Sequence, residues 1–375
     1  MTQTNTPDMK SVVSAITVAP AEHSTIKIEG EIPYALLLTY RSAALKALGK
    51  DVAIDGFRKG HIPEEVLVKR IGEMTLLTEM AERALAAVYP EVIREHTLDV
   101  IGHPQISLTK LAPENPLGFS ATVAVLPAVT LPDYKKIARD TKKDASDVTD
   151  ADVTKATEDM LRQKQAYERM QKKAAAKKDA GEDGVSPASD EQDTEDEPLP
   201  ELTDEYVKTL GSFTSVDEFK SKLREHLEIE KKQEVIGKHR AAITDTIVAE
   251  STIDLPQILI DSEIDQMFGQ MKQDLTRANL SMDDYLGHIK KTKDELRTEW
   301  LPAAEKRAKL QLALNEIAKK ESITVPDEQV EKEATTLLAQ YKDADPMRVR
   351  LYIRSMLTND ATMRMLEEES EKSSK

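Results

Sequence analysis

A short segment at residues 54–66, IDGFRKGHIPEEV, brings an aromatic ring and two cations together in an otherwise acidic chain. The guanidinium group of Arg58 is a planar fork suited to phosphate or carboxylate groups, and Lys59 adds a point charge beside it. A solvent-exposed Phe57 could fill an apolar pocket on a partner or stack on a nucleic-acid base. These residue types therefore suit binding to a partner, which they do not by themselves identify.

The residues around this trio favour an exposed turn. Gly56 and Gly60 permit backbone angles that other residues resist, and Pro63 presets the start of a following helix, which would fix the turn on a rigid base. The alternative is an ordinary turn with Phe57 packed into the domain core, and the residues alone leave both interpretations open.

The rest of the sequence carries no recognisable catalytic pattern. It has no Gly-rich phosphate loop, no HExxH and no GxSxG motif, and without cysteine it can form neither disulfides nor Cys-ligated zinc sites. Its seven histidines, at positions 23, 61, 96, 103, 226, 239 and 288, are scattered. Paired acids such as Glu64 and Glu65 fit the first turn of a helix, where the helix dipole favours them. We therefore expect no catalytic residue, no metal site and no cofactor.

Composition sets bounds on the fold and on the surface. The 375 residues are enough for two or three domains, and few aromatics and glycines beside many methionines are typical of a helix-rich protein. The net charge of -16 is uneven, because residues 1–140 carry 15 Lys and Arg against 17 Asp and Glu, and the remainder carries 37 against 51. A nucleic-acid-binding surface must therefore be local, and the near-neutral N-terminal third is the better host.

Hydrophobic patterning predicts a compact α+β domain over residues 1–140. Alternating apolar residues predict strands in STIKIEGEI, DVIGHPQISLTKL and LGFSATVAVLPAV, and the N-terminal segment before them reads as a first strand. Helices are predicted from Pro33 to Lys50 and from Pro63 onward, with a break or kink at Pro90.

The remaining chain is predicted to be helical apart from one acidic segment. Residues 141–178 read as a solvated linker helix with Thr149 as its cap. Residues 179–201 have almost no apolar side chain and many like charges, which is typical of a disordered spacer. Residues 202–375 contain several long helices with modest apolar faces, which favours an elongated, all-α multi-helix domain with arm-like helices.

The segment GFRKGHIP resembles the trigger factor signature, GFR-x-G-x-x-P, and its approach VAIDGFR is similar to that of the family. The strands ISLTKL and FSATVAVLPAVTL resemble the family's ribosome-binding domain, and VTDADVTKATEDMLRQKQAYE resembles its linker helix. STIDLPQILIDSEIDQMFGQM is similar to the arm region of its C-terminal domain. The resemblance covers most of the chain; the eight-residue motif is specific and the helical part is looser.

The resemblance implies an ATP-independent chaperone that docks on the large ribosomal subunit beside the polypeptide exit tunnel, on a ribosomal protein and rRNA. Its other partners would be nascent or unfolded polypeptides, and a weak homodimer stays open. The implied ribosome-binding residues are Gly56, Phe57, Arg58, Lys59 and Gly60. His61 stands where the family often has lysine, a departure expected to weaken docking slightly.

By the same resemblance, the helical domain would hold client polypeptides on dispersed apolar side chains, a task suited to the unbranched and adaptable methionine. The candidate residues are Met267, Phe268, Met271, Met282, Met347, Met356, Met363 and Met365. For each of them the alternative is ordinary packing between helices.

One part of the family's usual architecture has no counterpart in the sequence. Members usually carry an FKBP-like prolyl isomerase domain of about a hundred residues between the linker helix and the C-terminal domain, and the acidic interval of about thirty residues is too short to contain one. We expect the isomerase domain to be missing, and with it the enzyme activity.

Two other functions fit parts of the sequence. A periplasmic holdase chaperone of the SurA type would need a signal peptide, which the threonine- and serine-diluted N-terminal segment imitates poorly, and it would leave GFRKGHIP unexplained. A helical adaptor protein would have no ribosome affinity. No apolar run approaches the roughly 18 residues of a membrane span, so we expect a cytoplasmic protein without membrane contact.

Overall fold

The computed structural model describes residues 9–52, 62–179, 199–341 and 343–373. These residues pack into two compact units, each assembled from separated stretches of the chain. The first unit comprises Met1–Pro132 and Ile247–Thr362, and the second comprises Asp133–Thr246 and Met363–Lys375. The domain boundaries expected from the sequence, at 1–140, 141–178, 179–201 and 202–375, stay predictions.

Helices form most of the regular structure. They are α1 (Met9–Ser14), α2 (Tyr34–Thr39), α3 (Arg41–Asp51), α4 (Glu64–Ile71), α5 (Glu73–Glu95), α6 (Tyr134–Asp140), α7 (Asp150–Asp179), α8 (Asp204–Val207), α9 (Val216–Glu250), α10 (Gln257–Arg277), α11 (Met282–Ile289), α12 (Lys293–Lys320), α13 (Asp327–Gln340) and α14 (Pro346–Ser373). The strands are β1 (Thr17–Ala21), β2 (Thr25–Ile32), β3 (Val100–Lys110), β4 (Leu117–Val125), β5 (Val129–Thr130) and β6 (Thr252–Ile253).

Four antiparallel strands form the sheet of the first unit, in the order β1-β2-β4-β3. The central strand β4 pairs with both β2 and β3, so that Ala121 lies opposite Ile28 on one side and Ile106 on the other. Since side chains alternate between the faces of a strand, one face of β4 is apolar and buried. Its side chains are Leu117, Phe119, Ala121 and Val123. The three strands predicted from alternation are confirmed.

Helix α5 covers the buried face of the sheet. Its interior side chains recur at the spacing of one helical face and join the same core as β2 and β4. They are Leu76, Leu77, Met80, Ala81, Ala84, Leu85, Val88 and Val92. Val12 and Val13 of α1 are buried in this core as well.

The predicted break of the second helical stretch at Pro90 is wrong, because α5 continues through Pro90; the alternative of a kink there stays a prediction. Val88 and Val92, on either side of the proline, have no exposed surface, and their burial offsets the hydrogen bond that proline cannot make. The break lies at Gly72, between α4 and α5, where φ is +88° and the backbone N–H donates to the carbonyl of Val68 at 2.8 Å.

Three further local predictions need correction. The N-terminal segment forms α1 before β1 begins at Thr17, because Val12 and Val13 need a helical turn to reach the core together. The helix predicted from Pro33 to Lys50 is divided at Tyr40 into α2 and α3. The chain after residue 202 is not entirely helical, since Ile253 of β6 pairs with Val129 of β5.

The second unit consists of α6, α7, α8, most of α9 and the end of α14. The predicted cap of α7 is confirmed: the Asp152 N–H donates to Thr149 Oγ1 at 3.2 Å, and the Thr149 N–H donates to Asp152 Oδ2 at 2.9 Å. The hydrogen bonds from Thr149 hold the pKa of Asp152 below its ordinary value. Together the two units confirm the fold class, an α+β N-terminal part followed by a helical C-terminal part.

The contrast between two glycines tests the origin of the break before α5. An added Cβ would meet nothing within 4 Å at either Gly72 or Gly269, so only the backbone conformations differ. Gly72→Ala is expected to destabilise the protein by about 1–3 kcal/mol, because its φ of +88° suits only glycine. Gly269→Ala, inside α10, is expected to stabilise it by up to about 1 kcal/mol. Urea unfolding measures the change in unfolding free energy for both variants. Equal changes would contradict the conclusion that the positive φ of Gly72 causes the break before α5.

Candidate functional site

The five residues predicted to bind the ribosome, Gly56, Phe57, Arg58, Lys59 and Gly60, lie outside the described residues, as does His61. The structure does describe the two elements that flank them. Helix α3 ends at Asp51, and α4 begins at Glu64 directly after Pro63. The helix predicted to start at Pro63 is therefore present, with both acids of EEV in its first turn.

The two flanking helices are joined at their base. The Arg41 guanidinium on α3 donates from Nε to Glu64 Oε1 on α4 at 2.7 Å. A Cβ at Gly49 would lie 3.4 Å from Leu67 Cδ2, so the glycine lets α3 pack closely against the buried Leu67. An ion pair from the first residue of α3 and an apolar contact near its last turn thus hold α3 against α4, the helices on either side of the motif segment.

A groove of about 450 Å³ lies between α2, α3 and α4. Leu38, Leu45 and Ile62 supply apolar surface and Lys46 supplies positive charge, while Arg41 and Glu64 line the groove as an ion pair. This surface repeats the chemistry of the adjacent motif, which also combines apolar area with cations. The described surface beside the motif is therefore suited to a partner that offers both apolar and anionic groups.

A second candidate site is an apolar cleft of about 490 Å³ between α10, α11 and α12. Met267 and Met271, both predicted from the sequence, line it with Tyr285 and Trp300. The predicted Phe268 is buried behind the cleft, with its ring centroid 4.7 Å from that of Trp300. The cleft offers adaptable and aromatic side chains without a catalytic group, which suits promiscuous apolar binding.

Helix caps and ion pairs position the walls of this cleft. The Thr292 hydroxyl and the Glu295 carboxylate form a reciprocal capping box at the start of α12, and the hydrogen bonds from Thr292 hold the pKa of Glu295 below its ordinary value. Arg297 of α12 donates from Nη2 to Asp261 Oδ1 of α10 at 2.7 Å. Local sequence therefore sets where α12 begins and how it meets α10.

The first turns of α14 expose a third apolar surface. Met347 and Met356, predicted from the sequence, are 65% and 43% exposed. Leu351 and Tyr352 were missed by sequence reasoning and are 60% and 62% exposed. Both residues lie on a different face of α14 from its buried side chains. The sequence does not show which face of this helix is covered by a neighbouring helix, so it could not identify them. We call Met347, Leu351, Tyr352 and Met356 the α14 surface.

The other predicted client-binding residues do not share one surface. Met363 is 7% exposed and packed, as is Phe268, so the core alternative describes both side chains. Met282, at the start of α11, and Met365, near the end of α14, are half-buried.

Two kinds of feature are absent from residues 9–52, 62–179, 199–341 and 343–373. In these ranges, no three or more His, Asp or Glu side chains are grouped so that they could hold a metal ion. Likewise, none of the described helices is both long enough and apolar enough to cross a membrane.

Comparison with known families covers both ends of the chain. Residues 14–160 match the family model described as Bacterial trigger factor protein (TF), and residues 215–370 match the model described as Bacterial trigger factor protein (TF) C-terminus. The chain belongs to the trigger factor family. The resemblance inferred from GFRKGHIP is thereby confirmed.

Trigger factors from several bacteria are similar to this chain along most of their length. The protein of Natranaerobius thermophilus is 24% identical, over 92% of this chain and 92% of the relative. That of Streptomyces coelicolor is 27% identical, over 86% and 80%, and that of Halalkalibacterium halodurans is 28% identical, over 80% and 84%. These similarities span both units of the structure.

A solved structure of the trigger factor chaperone, studied for promiscuous substrate recognition in folding and assembly, has a similar fold. It matches with a TM-score of 0.53 at 17% identity, over 95% of this chain and 99% of that chain. The two trigger factor family-model matches leave residues 161–214 between them and include no FKBP-like domain.

Proposed function

We propose that this trigger factor is an ATP-independent chaperone that docks at the ribosomal exit tunnel and holds nascent polypeptides while they fold, without prolyl isomerase activity. The observation that carries the proposal is the GFRKGHIP motif, set between two helices that an ion pair joins, in a chain that trigger factor models match at both ends.

Docking rests on Phe57, Arg58 and Lys59, with Gly56 and Gly60 as hinges. The two cations pair with rRNA phosphates or with acids on a ribosomal protein, and the aromatic ring fills an apolar pocket on that protein. The ion pair between Arg41 and Glu64 holds the two flanking helices, α3 and α4, relative to one another before a partner binds.

Holding rests on the α10–α12 cleft and on the α14 surface. Both expose apolar side chains that adapt to many sequences, and neither contains a catalytic group. Weak contacts at several points release a client as it folds and buries its own apolar residues, so no nucleotide is needed. The acidic excess of the chain, -16 overall, keeps bound clients soluble by repulsion between complexes.

The proposed site of action is the cytoplasm, where ribosomes are found. A weak homodimer stays a prediction. A helical adaptor is the alternative function, and it differs from the proposal in one measurable property, because it would not bind ribosomes.

Ribosome binding is expected to depend on the motif. A variant with Phe57, Arg58 and Lys59 changed to alanine should lose co-sedimentation with ribosomes, because it removes both cations and the aromatic anchor. The matched control changes Lys69, Arg70 and Met74 to alanine. All three are exposed, the first two on α4 and the third on α5, and their replacement removes the same charge as the motif variant. Circular dichroism checks that both variants fold. Ribosome binding by the motif variant at the wild-type level would refute the docking role.

Client holding is expected to depend on the α14 surface. Met347→Ser, Leu351→Ser and Tyr352→Ser together should weaken suppression of aggregation when a denatured protein is diluted into buffer, followed by light scattering. The control, Met170→Ser, Ile229→Ser and Tyr167→Ser, removes side chains of the same types that are 72%, 58% and 62% exposed. Equal loss of holding in both variants would mean that general surface hydrophobicity, not the α14 surface, holds the client.

Prolyl isomerisation is expected to proceed at the uncatalysed rate in the presence of this protein. Tens to hundreds of seconds at 25 °C are typical of that rate in peptides, and a short X-Pro peptide assay measures it. A trigger factor known to be active in the assay serves as the positive control. Clear acceleration by this chain would show that isomerase activity does not need the missing domain.

A further inference from the structure

The turn between β1 and β2 adopts a conformation that its own residues disfavour. Its two central residues, His23 and Ser24, have φ values of 54° and 46°, and the Thr25 N–H donates to the Glu22 carbonyl at 3.3 Å. Hairpin turns with two positive φ angles usually contain Asn and Gly, because other residues are strained there. Contacts from elsewhere must therefore hold this turn.

Asp254 supplies those contacts from the segment between β6 and α10. The Ser24 N–H donates to Asp254 Oδ2 at 2.8 Å, and the Ser24 hydroxyl donates to the Asp254 carbonyl at 2.7 Å. His23 Nδ1 lies 3.5 Å from Asp254 Oδ1. Asp254 itself is fixed between two buried neighbours, Ile253 and Leu255. The strained turn and this segment therefore hold each other in place.

A second contact joins β3 to the first turn of α10. Gly102 has a φ of +74° and lies where the pairing of β3 with β4 shifts register, between Ile101 and Gln105. A Cβ on Gly102 would lie 2.1 Å from Ile258 Cδ1. The absence of a side chain at Gly102 thus leaves room, which we call the Ile258 seat, for the Ile258 side chain, although Ile258 remains 37% exposed.

A third contact lies just before Asp254 in the segment that comprises residues 252–258. Val129 of β5 pairs with Ile253 of β6. Residues 252–258 therefore meet the sheet domain at three separate places: the β1–β2 turn, β5 and the bulge in β3. We name these three contacts the clasp.

We propose that the clasp is a conformational coupling device, which fixes the start of α10 to the sheet so that the domain bearing the motif and the α10–α12 cleft move together. Opening the clasp frees α10 and lets the β1–β2 turn relax from its strained angles. That relaxation favours opening, while the Asp254 hydrogen bonds and the seated Ile258 oppose it.

The coupling has a specific consequence because its contacts lie on different strands of the sheet. In the strand order β1-β2-β4-β3, the strand β3 and the β1–β2 turn are separated by β4. Two routes join Ile258 to Ser24: residues 252–258, and the sheet itself, where Ala124 pairs with both Ile101 and Thr25. Independent local contacts would show no such communication.

Amide hydrogen exchange on the full-length protein tests the coupling. Two backbone amides serve as probes: Ser24, which donates to Asp254, and Leu259, which donates to the Pro256 carbonyl at 3.0 Å. Ile258→Ala empties the seat without altering a backbone angle. It is expected to speed exchange at Ser24 by about ten-fold, the factor for about 1.4 kcal/mol of opening free energy. Asp254→Ala is expected to speed exchange at Leu259 in the same way.

The controls separate coupling from general loosening. Ile106→Ala removes the same side chain from β3 at a site that is 43% exposed and outside the clasp, and Asp283→Ala removes an exposed acid on α11. Neither should change exchange at either probe. Faster exchange confined to the neighbourhood of each substitution would overturn the proposal. The measurement uses no ribosomes or clients, so its failure leaves the ribosome and client tests unaffected.

Discussion

Burial of the α5 stripe against one face of the sheet is the constraint on which the first unit depends. Each fully buried Leu, Val or Met side chain contributes about 1.5–3 kcal/mol, and α5 places several in the core that also holds Ile28 and Phe119. With α5 fixed, α3 and α4 have little freedom, since both pack beside it and are joined by Arg41 and Glu64. The positions of the helices that flank the motif are therefore set by the core of the first unit.

The same separation between packing and function recurs in the helical part. Phe268 lies in the interior against Trp300, and its burial leaves Met267 and Met271, one on each side of it in α10, to line the cleft. Leu351 and Tyr352 lie off the buried positions Val349 and Ile353 of α14. In both helices the proposed binding surface consists of apolar residues that are not buried in the core, so a substitution there leaves the packing of the core unchanged.

Local patterns were sufficient for most of the fold but not for its irregular points. Alternation predicted β2 and β4, and the Thr149 cap was readable from T-x-x-D alone. Pro90 misled because the burial of Val88 and Val92 overrides a local rule. The clasp was unreadable for the same reason: nothing near Ser24 or Gly102 in sequence indicates Asp254 or Ile258 as a partner. The predicted methionines also differ in a way that the sequence does not show: Met347 is exposed and Met363 is buried, although both lie on the same helix.

The second unit explains how the chain tolerates an acidic interval where relatives of its family usually have a domain. Lys164 of α7 donates from Nζ to Thr209 Oγ1 at 2.6 Å and lies 4.8 Å from the centroid of the Tyr206 ring. These contacts join α7, before the interval, to residues 206–209, after it. Side-chain contacts within the second unit therefore hold the two ends of the interval near each other. A doubling of the length between them costs only about 0.6 kcal/mol in loop entropy. The helices on either side of the interval are therefore held by their own contacts, and the length of the chain between them has little effect on their packing.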